Sequence, residues 1–152
     1  MPRSPRYGEA VVQNPPEGYP RISPYLYYED GAAAIEWLTR AFGFRERMRM
    51  PGEEGRIMHA ELELDGGIVM LANPPREAFK NPKALGTNTS SVYTYVDDVD
   101  SHFDRAKEAG AEILQEPETM PYGDRHYGAK DPEGHEWWFG EHVKDVSPDE
   151  IG

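Results

Sequence analysis

Apolar and polar positions recur along this chain with two periods, and each period occurs twice. After Asp30, the residues Ala34, Ile35, Leu38, Ala41 and Phe42 fall at helical spacing and Gly43 closes the run. After Asp98, Val99, Phe103, Ala106 and Ala109 do the same before Gly110. An aspartate that can cap the first turn and a glycine just past the last one are ordinary ends for an amphipathic helix. Strand-like residues follow each helix, at 44–50 and 111–115, and then a hairpin. Residues 56–64 turn at Asp65-Gly66-Gly67 into 68–72, and residues 125–130 turn at Asp131-Pro132-Glu133-Gly134 into 135–141. Both turns carry strong hairpin chemistry between β-rich runs.

The recurrence is an internal repeat. Residues 23–30 lie over residues 91–98 without a gap at an offset of 68, with Ser23/Ser91, Tyr25/Tyr93, Tyr27/Tyr95 and Asp30/Asp98 identical. The pattern predicts two β-α-β-β-β modules, 21–73 and 90–142, in one domain spanning 21–142. A Pro-rich stretch at 74–89 reads as the linker between them. Pro2, Pro5, Pro15, Pro16 and Pro20 mark residues 1–20 as an extended arm that orders only where it docks, or that wraps across a partner, and 143–152 as a short acidic tail.

Composition narrows the function. In 152 residues, 16 Lys and Arg face 28 Asp and Glu, a net charge of −12, with no cysteine. That charge disfavours nucleic acid and anionic membranes as partners and favours neutral or cationic small molecules. The missing cysteine excludes disulfides, thiolate zinc sites and cysteine nucleophiles. No apolar run approaches about 18 residues and the N-terminus lacks a signal-peptide core, so a cytoplasmic protein is expected.

The Ala-Phe-Gly-Phe helix end at 41–44, the D-x-x-G-x-x-W hairpin and the stretch PYGDRHYGAKDPEGHEWWF at 121–139 resemble the vicinal oxygen chelate superfamily. That group holds glyoxalase I, extradiol dioxygenases, fosfomycin-resistance enzymes and bleomycin-resistance binding proteins. Residues 122–138 most resemble its small glyoxalase and bleomycin-resistance-like branch, and the likeness covers about 20–142. The resemblance implies an α+β fold of two tandem βαβββ modules, with curled mixed sheets around a cavity and helices on the outer face. It also implies a homodimer. Its metal enzymes take His and Glu ligands from the first and last strands of each module. Carried over by motif, those positions hold Ser23, Leu71, Ser91 and Trp138. None offers an imidazole or a carboxylate at the ~2.0–2.2 Å a divalent metal requires, so neither a metal nor another cofactor is expected.

Strand alternation then sorts the cavity candidates. Met58, Ala60, Leu62 and Leu64 suit the helix-covered face, which leaves Ile57, His59, Glu61 and Glu63 opposite. Leu26, Tyr28, Val92, Thr94 and Val96 suit the helix side, so Tyr25, Tyr27, Tyr93 and Tyr95 face the same enclosed space. Trp137 and Phe139 belong to the core and Trp138 to the cavity, where an aromatic replaces a metal ligand by a stacking surface. Asp124 and Arg125 read as a local charge pair, or, with Tyr122 nearby, Arg125 turns inward to hold an anionic group. His59 aligns with Arg125, leaving His126 one residue out of phase. His102 falls on the solvated side of its helix, and His135 lies beside a turn backbone.

Two functions fit. The first is a metal-independent protein that sequesters an organic ligand, cationic or aromatic, in a groove built from Tyr25, Tyr27, His59, Glu61, Tyr93, Tyr95, Tyr122, Arg125 and Trp138. The alternative is a lyase or dioxygenase of the glyoxalase type, with His59 and Glu61 as base or replacement ligands. A third possibility is a closed, structural dimer.

Overall fold

A computed structural model describes residues 11–75, 77 and 79–151. The first ten residues of the expected arm, with positions 76, 78 and 152, lie outside the described residues. The chain forms β1 (Tyr25–Tyr27), α1 (Gly31–Phe42), β2 (Arg45–Pro51), a 3-10 turn at Glu53–Gly55, β3 (Ile57–Leu64), β4 (Gly67–Ala72), α2 (Pro82–Leu85), β5 (Ser91–Tyr95), α3 (Val99–Glu108), β6 (Glu112–Thr119), β7 (Asp124–Lys130), β8 (Glu136–His142) and α4 (Pro148–Ile151). Two four-stranded mixed sheets result, ordered β1-β4-β3-β2 and β5-β8-β7-β6. In each, the first strand runs parallel to the last and the other pairs are antiparallel. This is the α+β fold of two tandem βαβββ modules, and its sheets do not close. No helix among the described residues is long and apolar enough to cross a membrane.

The caps form as their chemistry dictates. Asp30 accepts from the Ala33 amide and Asp98 from the Ser101 amide, while Gly43 closes α1 in the left-handed region. The linker is more structured than its composition predicts, because Asn81 caps α2 and Pro82 starts it. Strand β6 runs on to Thr119 through Pro117. It is a sheet edge with two register irregularities, the setting in which a strand accommodates proline. The parity expected of β3 holds from Ala60 onward and fails at its start. A register shift between Met50 and Pro51 swaps the faces, so Ile57 is buried and Met58 is exposed.

The helix-covered faces of both sheets meet in one core. Phe42, Trp137, Phe139 and Tyr127 are fully buried there, with Phe42 4.6 Å from Phe139 and 5.4 Å from Trp137, ring centre to ring centre. Burial of such side chains contributes on the order of 2–3 kcal/mol apiece. Helix α1 is also held at both ends by the second module. Glu133 accepts the Glu29 and Asp30 amides ahead of its first turn. At its C-terminus the carbonyls of Thr39 and Arg40 accept from Arg105, and that of Phe42 accepts from His102 Nε2, so side chains of α3 supply donors to carbonyls that a helix end exposes.

His102 is therefore not a solvated surface residue. A carbonyl only accepts, so its Nε2 carries the proton, and a neutral ring leaves Nδ1 to accept from the Tyr127 hydroxyl. Burial lowers its pKa below the ordinary 6.5. His135 likewise reaches across the modules and donates to the Tyr27 carbonyl at 2.8 Å.

Beside it lies Asp131, a buried carboxylate. It accepts from the Tyr28 hydroxyl at 2.6 Å, from Trp137 Nε1 at 3.1 Å and from the amides of Glu133 and His135. The substitution Tyr28→Phe keeps the ring and removes only the donor. It is expected to cost about 1–3 kcal/mol, read as a lowered urea midpoint at unchanged slope.

Candidate functional site

Pairing across the sheets sets the two half-sites in register. Tyr25 opposes Met70, which opposes Glu61; Tyr93 opposes Trp138, which opposes Gly128. His59 and His126 each stand two residues before the last member of these rows, so they are equivalent positions rather than out of phase. The same rows correct the metal-ligand carry-over. Leu71 is fully buried in the core, and Met70 is the first-half counterpart of Trp138. Ser23, Met70, Ser91 and Trp138 still include no imidazole or carboxylate, so these positions do not fit a divalent metal. Among the described residues no group of three His, Asp or Glu side chains is placed to hold a metal ion.

In the first half, side chains on one strand face build a continuous hydrogen-bonded row. Tyr25 Oη lies 2.8 Å from His59 Nδ1, and His59 Nε2 lies 2.9 Å from Glu61 Oε2. The other carboxylate oxygen accepts from the Tyr19 hydroxyl at 2.5 Å. The Tyr19 ring carries the Arg47 guanidinium 4.7 Å from its centre, and Arg47 also donates to the Gly18 carbonyl. Burial pushes the Glu61 pKa up, but the hydrogen bonds from Tyr19 and His59, the charge of His59 when its ring is protonated and the charge of Arg47 outweigh it and hold it below the ordinary 4.5. Tyr27 lies beside Tyr25 and stacks on Phe79 at 4.0 Å.

The second half is organised by Asp124. One of its oxygens accepts from both Tyr93 and Tyr95 at 2.9 Å, and the other faces His142 Nδ1 at 2.8 Å. Burial raises the Asp124 pKa, and these three donors more than reverse the shift. His126 lies 3.4 Å from the hydroxyls of both Tyr93 and Tyr122 and 5.0 Å, ring to ring, from Trp138. The indole of Trp138 lies across Gly128, where a Cβ would come within 2.8 Å of its six-membered ring. Arg125 is not on this face. Adjacent strand residues point to opposite sides, so Asp124 joins the tyrosines while Arg125 pairs with Asp100 of α3 at 2.9 Å. The expected Asp124–Arg125 pair therefore does not form.

The structure thus brings together Tyr25, Tyr27, His59 and Glu61 in one group and Tyr93, Tyr95, Tyr122 and Trp138 in another. It adds Tyr19, Arg47, Met70, Asp124, His126 and His142, which sequence reasoning did not select. Parity alone could have found Asp124 and His126, since both share a face of β7. The two tyrosine pairs do not line the same cavity. Tyr25 and Tyr27 border a space of about 250 Å³ with Lys80, Leu85 and His135. Tyr93 and Tyr95 border one of about 290 Å³ with Ile22, Phe44 and Ile68. A larger space of about 610 Å³ lies between the linker and the first module, lined by Tyr27, Arg56, Phe79 and Asn81.

Two βαβββ modules with aromatic and polar residues on their strand faces define a class of paired-module proteins. The chain belongs to the Glyoxalase/Bleomycin resistance protein/Dioxygenase superfamily, whose model matches residues 20–139. It is similar to an uncharacterized protein of Mycobacterium tuberculosis, 38% identical over 136 residues that cover 87% of this chain and 80% of the relative. Among solved structures it resembles TioX from Micromonospora sp. ML1, with 39% identity, 80% of this chain and 98% of that one covered, and a TM-score of 0.67. A fosfomycin resistance protein, FosX from Listeria monocytogenes, shares the fold at 13% identity, with 86% and 96% covered and a TM-score of 0.60.

The tail beyond β8 is fastened to this site. His142 bridges Asp124 and Asp145, and the amides of Val143 and Lys144 both donate to the Gly123 carbonyl. Gly123 has φ +100°, and a Cβ there would meet the Lys144 carbonyl oxygen at 1.8 Å, so the close approach demands glycine. The hydrogen bonds to Asp124 and Asp145 raise the His142 pKa above 6.5. Its contribution is complete below 6.5 and is lost as pH rises through the raised value. Asp124, held below 3.8, contributes above that value and loses its contribution as pH falls through the depressed one. The fastening is thus strongest between about pH 4 and 6.5. Hydrogen exchange at Val143 and Lys144, corrected for intrinsic rates, is expected to show less protection at pH 8.5 than at pH 5.5. The difference is expected to disappear in His142→Gln.

Proposed function

We propose that the protein is a metal-independent small-molecule binder of the sequestration or resistance type. Its ligand is organic, with a flat aromatic ring and a cationic or hydrogen-bonding group. The observation that carries this reading is Trp138, a half-buried indole braced across Gly128 and set beside Tyr93 and His126 where family metal enzymes place a ligand. Stacking and cation–π contacts on such rings contribute about 0.5–2 kcal/mol each, and the net charge of −12 raises the local concentration of a cation. Membership of a superfamily that includes bleomycin resistance proteins supports the same reading.

A second copy of the chain completes the groove in this proposal. Support comes from the open faces of the single chain, where Tyr95 is 60% exposed and the two tyrosine pairs border separate cavities. Light scattering at micromolar concentration is expected to give twice the chain mass, and a monomer mass contradicts the dimer.

Ligand binding is tested with bleomycin and a panel of planar aromatic cations, by thermal shift and then calorimetry. At least one compound is expected to bind saturably and to lose about tenfold or more in affinity, roughly 1.4 kcal/mol, in Trp138→Ala. A panel without any thermal shift contradicts the reading.

A further inference from the structure

The duplicated halves differ in one respect that sequestration does not use. In the first half, Tyr25, His59 and Glu61 follow one another at 2.8 and 2.9 Å. Glu61 is buried and held below its ordinary pKa, so it is a carboxylate and only accepts. His59 Nε2 must therefore carry a proton toward Glu61, and in the neutral ring Nδ1 is bare and accepts the Tyr25 hydroxyl proton. A hydroxyl aimed at a base, with the base oriented by a buried acid, is the arrangement that activates a nucleophile. The second half lacks it. Gly128 stands where Glu61 stands, and Tyr93 instead donates to the Asp124 carboxylate.

We infer that Tyr25 is a base-activated phenol, the nucleophile of a site that accepts acyl groups from activated carbonyl compounds, with His59 as its base and Glu61 as the positioning residue. Burial, Tyr27 and Glu61 raise the pKa of Tyr25, so free phenolate is scarce and the proton leaves only as the bond forms. Tyr25 Oη attacks the carbonyl carbon while its proton passes to His59 Nδ1. The bond from that carbon to the leaving group breaks, and His59 returns the proton to the leaving group. Tyr19 holds the far oxygen of Glu61 and fixes the carboxylate without entering the reaction. This inference stands apart from the sequestration reading, since it concerns the first half-site and needs no ligand on Trp138.

The fold supplies its own control. Tyr25 and Tyr93 are equivalent in the repeat and nearly equal in exposure, 41% and 42%, so access does not separate them. The full-length protein is treated with N-acetylimidazole, which donates its acetyl group and leaves as imidazole, and site-resolved mass spectrometry follows each tyrosine. Tyr25 is expected to be acetylated about tenfold or more faster than Tyr93. The pH–rate profile of Tyr25 is expected to rise to a plateau, and Glu61→Gln is expected to move its inflection to lower pH. His59→Gln, which keeps a hydrogen bond but offers no base, is expected to bring Tyr25 down to the rate of Tyr93. Equal rates at Tyr25 and Tyr93 in the unaltered protein overturn the inference without recourse to any variant. So does an excess at Tyr25 that survives in His59→Gln.

Discussion

The turn from Asp131 to Gly134 is the constraint on which the arrangement of the two modules depends. Asp131 is buried, and burial pushes its pKa up, so the fold must supply its oxygens with donors. Those donors come from Tyr28 just past β1, from Trp137 of β8, and from the amides of Glu133 in the turn and His135 just after it. Two residues on, Glu133 binds the amides that precede α1 and the side chain of Asn81, which caps α2. One short turn of the second module thereby positions the first strand and helix of the other module and the linker between them. The apolar core supplies most of the driving force, but rings and methyl groups pack in many ways. Directional bonds to one carboxylate remove most of that freedom.

Within that frame the two halves have diverged at one ladder row. Glu61 completes a hydrogen-bonded row in the first half, and Gly128 clears space for an indole in the second. The two devices exclude each other in a single module. Any side chain at position 128 would meet the Trp138 ring, since a Cβ alone comes within 2.8 Å. In the first half the corresponding neighbour is Met70, an unbranched side chain that adapts to the carboxylate beside it. Duplication thus lets one chain carry a polar relay and an aromatic platform on equivalent strands, each supported by a tyrosine and a histidine at matching positions.

The modules, helices and hairpins were legible in the sequence because periodicity, caps and turn residues act locally. So was the separation of Tyr25, Tyr93 and Trp138 from the core, which needs only strand alternation. Most of the failures share one physical origin, namely partners distant in sequence. Met58 and Ile57 exchange faces because of a bulge fixed by the neighbouring strand. Arg125 is drawn to Asp100 on α3, although residues 124 and 125 read as a pair in one dimension. His102 is a bridge between modules, visible only once α1 is packed. Tyr19 closes onto Glu61 from a segment whose prolines announced only an extended chain.

In the proposed reading the ligand face is built from the tyrosines and Trp138. The space of about 610 Å³ beside Phe79 is larger, so the claim does not follow cavity size. A crystal structure of the protein saturated with a planar aromatic cation tests it most directly. The ligand ring is expected to stack about 4 Å from the Trp138 indole, with a polar group toward the Tyr93 or Tyr25 hydroxyl. A ring seated instead between the linker and the first module, with Trp138 untouched, contradicts it.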